Sequence, residues 1–214
     1  MILFVDTEHE SGYLKPWAER LQAARTRIKY RLEDITGDEV LLVRYNRVDH
    51  DMIERVEARA MFLSGSSSPI PTYGDERNPI FAVINDLTMP MFGFCGGMQM
   101  MAGALDVEVD LIGTNDEGEP LRETGYNPTP ITGEDAMLKG LSQAPVMRHA
   151  HEWELKSVPE GFSVYSSTEM TPIQMIIHDD LPVIATQFHP EYWTEEAPEG
   201  LRLIENFCTR AGLL

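Results

Sequence analysis

The sequence predicts an α/β fold: a doubly wound, mostly parallel central sheet with helices on both faces. Three observations predict it. Met1–Val5 is a continuously apolar run of strand length, as expected of a strand buried on both faces. Strand-like and helix-like stretches then alternate along the chain. A cysteine, Cys95, falls where an apolar run gives way to a helical one, at the strand end where open α/β sheets carry their chemistry. The 214 residues, 43% of them hydrophobic, suffice for a full-sized core, and one domain over residues 1–214 is expected.

Met1–Val5 stops at Asp6 with no basic segment ahead of it, so it reads as a first strand rather than a leader. A polar loop, Asp6–Gly12, follows. From Pro16 onward, Trp17, Leu21, Ala24, Ile28, Leu32 and Ile35 recur at helical spacing, and Gly37 supplies the stop. The other face carries Arg20, Arg25, Arg27, Lys29 and Arg31, a basic stripe expected to be solvated and available to a partner. Val40–Arg44 reads as a second strand, Asp51–Arg59 as a short helix and Ala60–Leu63 as a third strand, ending in the Ser/Gly loop Ser64–Pro69.

Asn78–Thr88 is expected to be helical, Pro90–Phe94 to be the strand leading to Cys95, and Met98–Leu105 the helix leaving it. The methionines at 89, 91, 98, 100 and 101 read as pliable core packing. Residues 106–135 are acidic and punctuated by Gly and Pro; they read as a solvated surface hairpin, and their spacing matches no calcium loop. Phe162–Ser166, Ile173–Ile177 and Val183–Gln187 read as three further strands. Pro198–Arg210 is an amphipathic helix with Leu201, Ile204, Phe207 and Cys208 inward.

Composition narrows the function classes. Seventeen basic against 35 acidic residues give a net charge of −18, which repels phosphate backbones and anionic membranes; no nucleic-acid or membrane partner is expected. The longest apolar runs are too short to span a bilayer. Two cysteines, Cys95 and Cys208, cannot build a disulfide framework, and a free reactive thiol suits a reducing cytoplasm.

The chemistry-bearing stretch is Met89–Met101, in which Gly93, Cys95 and Gly97 form a G-x-nucleophile-x-G elbow with Cys in place of Ser. A strand turning at once into a helix brings backbones together and leaves no room for Cβ atoms, hence the glycines. Cys95 would sit exposed on that turn, at a helix N-terminus whose N–H groups favour thiolate over thiol. Downstream, Gln187–Phe188–His189–Pro190–Glu191 offers an imidazole and a carboxylate two residues apart. Cysteine, histidine and an orienting acid make a nucleophile–base–orienter set.

These two motifs resemble those of the class I, triad-type glutamine amidotransferases, whose elbow reads G-x-C-x-G-x-Q and whose base and acid lie in H-P-E. The likeness is greatest to the amidotransferase part of GMP synthases and covers nearly the whole chain. It implies a flavodoxin-like sheet, with Cys95, His189 and Glu191 as catalytic residues and no cofactor. It also implies an oxyanion hole built from Gly96 N–H and one N–H of the Gly65–Ser66 loop. Ser66 stands where the family has a second glycine, and a serine tolerates positive φ poorly, so an altered hole is expected. Gln99 takes the place of the family residue that holds substrate, and Glu123–Tyr126 that of a segment packing behind the site.

His151 falls on the histidine of the family's S-H-G-D segment, whose backbone cradles the amino-acid end of glutamine; Glu152 and Trp153 replace its Gly-Asp. His149 and His151, at i and i+2 on a strand, point the same way and could pair on a metal, but no third ligand lies nearby in sequence, so no metal site is expected. His149 and Arg148 remain open to the substrate carboxylate, a partner, or simple burial. Three functions follow: a glutaminase feeding ammonia to a separate synthetase, a free-standing hydrolase of γ-glutamyl compounds, or a non-catalytic binding module.

Overall fold

The computed structural model describes residues 1–214. The opening apolar run becomes β1 (Ile2–Asp6), with every residue buried. Its side chains alternate: Leu3 and Val5 enter the core on one face, Ile2 and Phe4 the core on the other. Helix α1 (Ala18–Thr36) ends where Gly37 takes φ 69°, a left-handed turn a Cβ would resist. β2 (Val40–Arg44) pairs with β1 in parallel. α2 (His50–Arg55) is capped by Asp49, whose carboxylate accepts from Met52 N at 2.7 Å. β3 (Ala60–Leu63) lies on the other side of β1.

After α3 (Asn78–Asp86), β4 (Met91–Phe94) runs directly into α4 (Gly96–Ala104). The chain then leaves the sheet for β5 (Val109–Leu111), β6 (Glu123–Pro128), β7 (Val146–His151) and β8 (Trp153–Leu155). These form two antiparallel ribbons, β5 with β8 and β6 with β7. It returns through β9 (Phe162–Ser166), β10 (Met175–His178) and β11 (Val183–Thr186) and closes with α5 (Glu199–Arg210).

The central sheet has the order β2-β1-β3-β4-β11-β10-β9. β1 to β4 and β11 are parallel, and β10 and β9 finish the edge antiparallel. One core holds residues of α2, α3 and α4; the opposite one holds α1 and α5. That is the doubly wound arrangement expected. No helix is long and apolar enough to cross a membrane.

Three expectations need correcting. In α5 it is Leu203, not Leu201, that joins Ile204, Phe207 and Cys208 inside. Trp17 is half exposed rather than inward. The basic stripe of α1 is not all solvated: Arg25 is buried and ion-paired to Asp6 at 2.9 Å, and Arg31 folds back onto the chain near Glu191.

Candidate active site

Cys95 lies on the step from β4 to α4 with φ 48° and ψ −104°, a backbone region costly for any residue with a Cβ. The surroundings impose it. Cys95 N donates to Thr186 O at 2.6 Å, tying the turn to the neighbouring strand. A Cβ on Gly97 would lie 2.4 Å from Leu63 O, and one on Gly96 would lie 2.4 Å from Ser66 N. The glycines therefore do the steric job their spacing suggested. Contrary to expectation, Cys95 is buried, at 3% exposure, with its side chain at the floor of a cavity of about 560 Å³.

β11 pairs with β4 in parallel, Thr186 opposite Phe94, so the residues after both strands leave the sheet at the same edge. This brings Gln187, His189 and Glu191 beside the cysteine. Glu191 Oε1 accepts from His189 Nδ1 at 2.7 Å, and both side chains are buried. Burial opposes the charged imidazole, but the Glu191 carboxylate and the Cys95 sulfur outweigh it and hold His189 up at about 9. A Cβ on Gly65 would lie 2.7 Å from His189 Cε1 and 3.6 Å from Cys95 Cβ, so sulfur, imidazole and loop converge on one spot. The loop's glycine is needed for that approach.

The Gly65–Ser66 peptide is aimed by its neighbours. Gly65 O accepts from Thr7 Oγ1 and Arg25 Nη2. The Ser66 N–H makes no hydrogen bond within the chain and lies against Gly96. Ser66 has no positive φ, so serine fits there without the strain expected, and its hydroxyl instead pairs with Tyr73 OH at 2.7 Å. Glu8, wholly buried, accepts from Ser67 N at 2.7 Å and from the Ser67 and Ser68 hydroxyls, fixing the rest of the loop.

Gln99 lines the cavity, yet its amide is engaged: Nε2 donates to Gln187 Oε1 and to Trp153 O, each at 3.3 Å. Gln187 in turn donates to Cys95 Sγ at 3.5 Å. On the opposite wall stand His151, Glu152 and Trp153, with Arg122 ion-paired to Glu152. His149 and Arg148 do not reach the cavity. The His149 ring is fully buried, held neutral by burial that pushes its pKa down to about 4, and Arg148 stacks 4.3 Å over the Tyr192 ring. Cys208 is buried in apolar surroundings that raise its thiol to about 12.

Sequence reasoning missed Asp6, Glu8, Arg25, Arg31 and Gln187, all of which brace this site. Arg31 donates to the carbonyls of Glu191 (2.8 Å) and Trp193 (3.3 Å) and stacks 4.0 Å from the Trp193 ring. For Arg25 a signal existed. With Leu21, Ile28 and Leu32 it occupies the spacing of the inward face, so its charge had to be paired inside.

Fold and site together define a doubly wound α/β protein with a cysteine elbow at the C-terminal edge of its sheet and a histidine–carboxylate pair delivered by the adjacent strand. Residues 25–211 match the family Glutamine amidotransferase class-I, and the chain belongs to it. It is 29% identical over 160 residues to the glutamine-hydrolysing GMP synthase of Brachyspira hyodysenteriae, covering 75% of this chain and 29% of that one. The corresponding enzyme of Carboxydothermus hydrogenoformans is 31% identical over 163 residues, covering 76% and 30%. The chain thus spans about three-tenths of the length of these curated relatives. Among solved structures, a candidate GMP synthase component from Thermoplasma acidophilum superposes with a TM-score of 0.74 at 22% identity, covering 99% of this chain and 94% of that one.

Proposed function

We propose that this chain hydrolyses the side-chain amide of glutamine through a thioester on Cys95 and supplies the ammonia to a separate synthetase. The observation that carries the reading is the 2.7 Å His189–Glu191 pair set against a cysteine held at positive φ. The Cys95 sulfur, its proton carried on His189 Nε2, attacks the amide carbon and forms the S–C bond. The oxyanion is received by Gly96 N–H and the uncommitted Ser66 N–H; one such donor is worth roughly 3–4 kcal/mol of barrier. Glu191 occupies His189 Nδ1, so Nε2 passes its proton to the leaving nitrogen as the C–N bond breaks. Ammonia departs. Water then adds to the thioester with Nε2 taking its proton, the S–C bond breaks and glutamate is released.

The synthetase partner is supported by the relatives, GMP synthases of which this chain corresponds to a part. A second reading, hydrolysis of a larger γ-glutamyl amide, is favoured by the cavity itself. Trp17, Arg122, Glu152 and Trp153 help to line a cavity of about 560 Å³, more than a glutamine side chain fills.

Ammonia release from glutamine is the test, run beside a panel of γ-glutamyl amides. Cys95→Ala should remain folded and lose activity entirely; a glutaminase rate surviving in that variant rejects the mechanism. A glutamine-analogue electrophile should label Cys95 and spare Cys208, read by peptide mapping.

A further inference from the structure

The pair His149 and His151 lacked a third ligand in sequence, and the fold supplies one. β6 lies against β7 with Glu123 directly opposite His151. Glu123 Oε2 is 3.2 Å from His151 Nε2 and 3.8 Å from His149 Nδ1, and the three atoms lie within 4.8 Å of one another. Ligands around a tetrahedral zinc, at about 2.0–2.2 Å from the ion, stand roughly 3.3 Å apart. Small side-chain adjustments reach that geometry.

The hydrogen bonds around the three side chains decide what belongs between them. Thr129 Oγ1 donates to Asn127 O at 3.1 Å, so toward His149 Nε2, 2.8 Å away, it acts as acceptor. That places the His149 proton on Nε2 and turns the Nδ1 lone pair toward the Glu123 carboxylate. His151 Nδ1 faces Trp153 O at 3.2 Å, a pure acceptor, so its proton is on Nδ1 and the Nε2 lone pair also points at Glu123. Both inward nitrogens are buried and make no hydrogen bond. Two lone pairs and a carboxylate oxygen converge on one point.

A proton added to His151 Nε2 would join it to Glu123 and leave His149 Nδ1 still unpartnered. A divalent cation satisfies all three atoms at once. The outer contacts match too: metal-bound histidines characteristically donate their other N–H to a carbonyl or another fixed acceptor, here Trp153 O and Thr129 Oγ1. Gln174 Nε2 donates to Glu123 Oε2 at 2.5 Å and steadies the carboxylate. Two imidazoles and one carboxylate suit zinc rather than magnesium or calcium.

We propose that Glu123, His149 and His151 form a binding site for a zinc-type divalent transition-metal ion, with a fourth position open. The ion clamps β6 to β7 and fixes His151 at the rim of the Cys95 cavity. The site does not depend on the amide chemistry and stands or falls separately from it.

The test uses the 214-residue chain carrying Cys95→Ala, which removes the competing sulfur, after treatment with chelator. Calorimetric titration with Zn²⁺ should show one equivalent bound, and Mg²⁺ and Ca²⁺ should show none. Co²⁺ should give the intense visible bands of a four-coordinate nitrogen/oxygen site, without sulfur charge transfer. His149→Ala and Glu123→Gln should abolish stoichiometric binding. Thr129→Val, which leaves all three ligands in place, should weaken it about 10- to 100-fold. Absence of equimolar Zn²⁺ binding and of the Co²⁺ bands in the Cys95→Ala chain overturns the proposal, even if a ligand variant fails to fold. Unaltered affinity in folded His149→Ala or Glu123→Gln overturns it as well.

Discussion

The two walls of the Cys95 cavity are made in different ways. One is the C-terminal edge of the parallel sheet: Gly65 after β3, Cys95 after β4, His189 after β11. Sheet register sets their spacing, and backbone contacts too close for any Cβ hold it. The other wall, from His151 to Trp153, hangs on the antiparallel ribbons outside the sheet. It is shaped by side chains, Arg122 paired with Glu152 and Glu123 set opposite His151. A wall built from main chain can tolerate little change, whereas one built from side-chain pairs can change its lining without moving the sheet. The sheet wall should therefore govern rate and stability, and the ribbon wall should govern which amide is accepted.

The largest effect tests the sheet wall at Glu191. In Glu191→Gln the amide can turn its NH₂ toward His189 Nδ1 and enforce the wrong tautomer, and a loss of about 10⁴-fold in kcat is expected. The pH profile moves with it. His189 is held at about 9 against burial by Glu191 and the Cys95 sulfur, so the alkaline limb of activity should lie near pH 9 and shift to lower pH in the variant. Stability follows by linkage: a folded-state value above the ordinary 6.5 contributes stability present in full below pH 6.5 and lost as pH rises through 9. Chemical denaturation across that range should show the decline in wild type and flatten it in Glu191→Gln. An unchanged profile would separate His189 from Glu191.

Next in size is the buried pair behind the Gly65 carbonyl. Arg25 and Asp6 have side chains 4% and 8% exposed. Arg25→Met strands the Asp6 carboxylate, which also accepts from Tyr13 OH, and should cost about 3–5 kcal/mol. Asp6→Asn added to it should recover much of the stability while leaving Gly65 O without its guanidinium. If kcat recovers along with stability, Arg25 supports the fold alone and not the aim of the Gly65–Ser66 peptide.

What was legible in the sequence follows the same division. Gly93, Gly97 and Cys95 announce the elbow because local sterics dictate their spacing, and His189 and Glu191 announce their pairing because two residues on a short turn can hardly avoid it. The apolar runs of β1, β3 and β4 name the sheet for the same local reason. Glu123 could be placed behind the site only by resemblance; its partner could not be read, because only the β6–β7 register sets it opposite His151. Glu8 is equally opaque, because its partners, Ser67 and Ser68, are reached through sheet pairing. Arg25 was legible in spacing and misread by charge. Ser66 was misjudged because the lost glycine suggested a positive φ that the loop does not use.

Smaller again is Gly97→Ala. Its methyl would meet a backbone oxygen, Leu63 O, at 2.4 Å rather than a side chain free to swing away. A loss of roughly 1–3 kcal/mol is expected, with activity falling as the elbow is pushed off β3. Thermal unfolding measures the first and ammonia release the second. A fully stable, active alanine variant would show that the sheet wall yields more than its close contacts imply.

The smallest stability effect belongs to the ribbon wall. Arg122 is 60% exposed and its partner Glu152 is 25% exposed, so solvent screens the pair, and Arg122→Ala should change stability by less than about 1 kcal/mol. Its consequence should appear in selectivity instead. Arg122 and Glu152 line the cavity away from the sheet edge, where the part of a substrate beyond the scissile amide would lie. Removing the guanidinium leaves Glu152 uncompensated there. KM should therefore shift among γ-glutamyl amides, with cationic amides gaining relative to neutral ones, while kcat on glutamine holds. A uniform fall in kcat across the panel would mean that the ribbon wall also positions the reacting atoms, and the division between the two walls would fail.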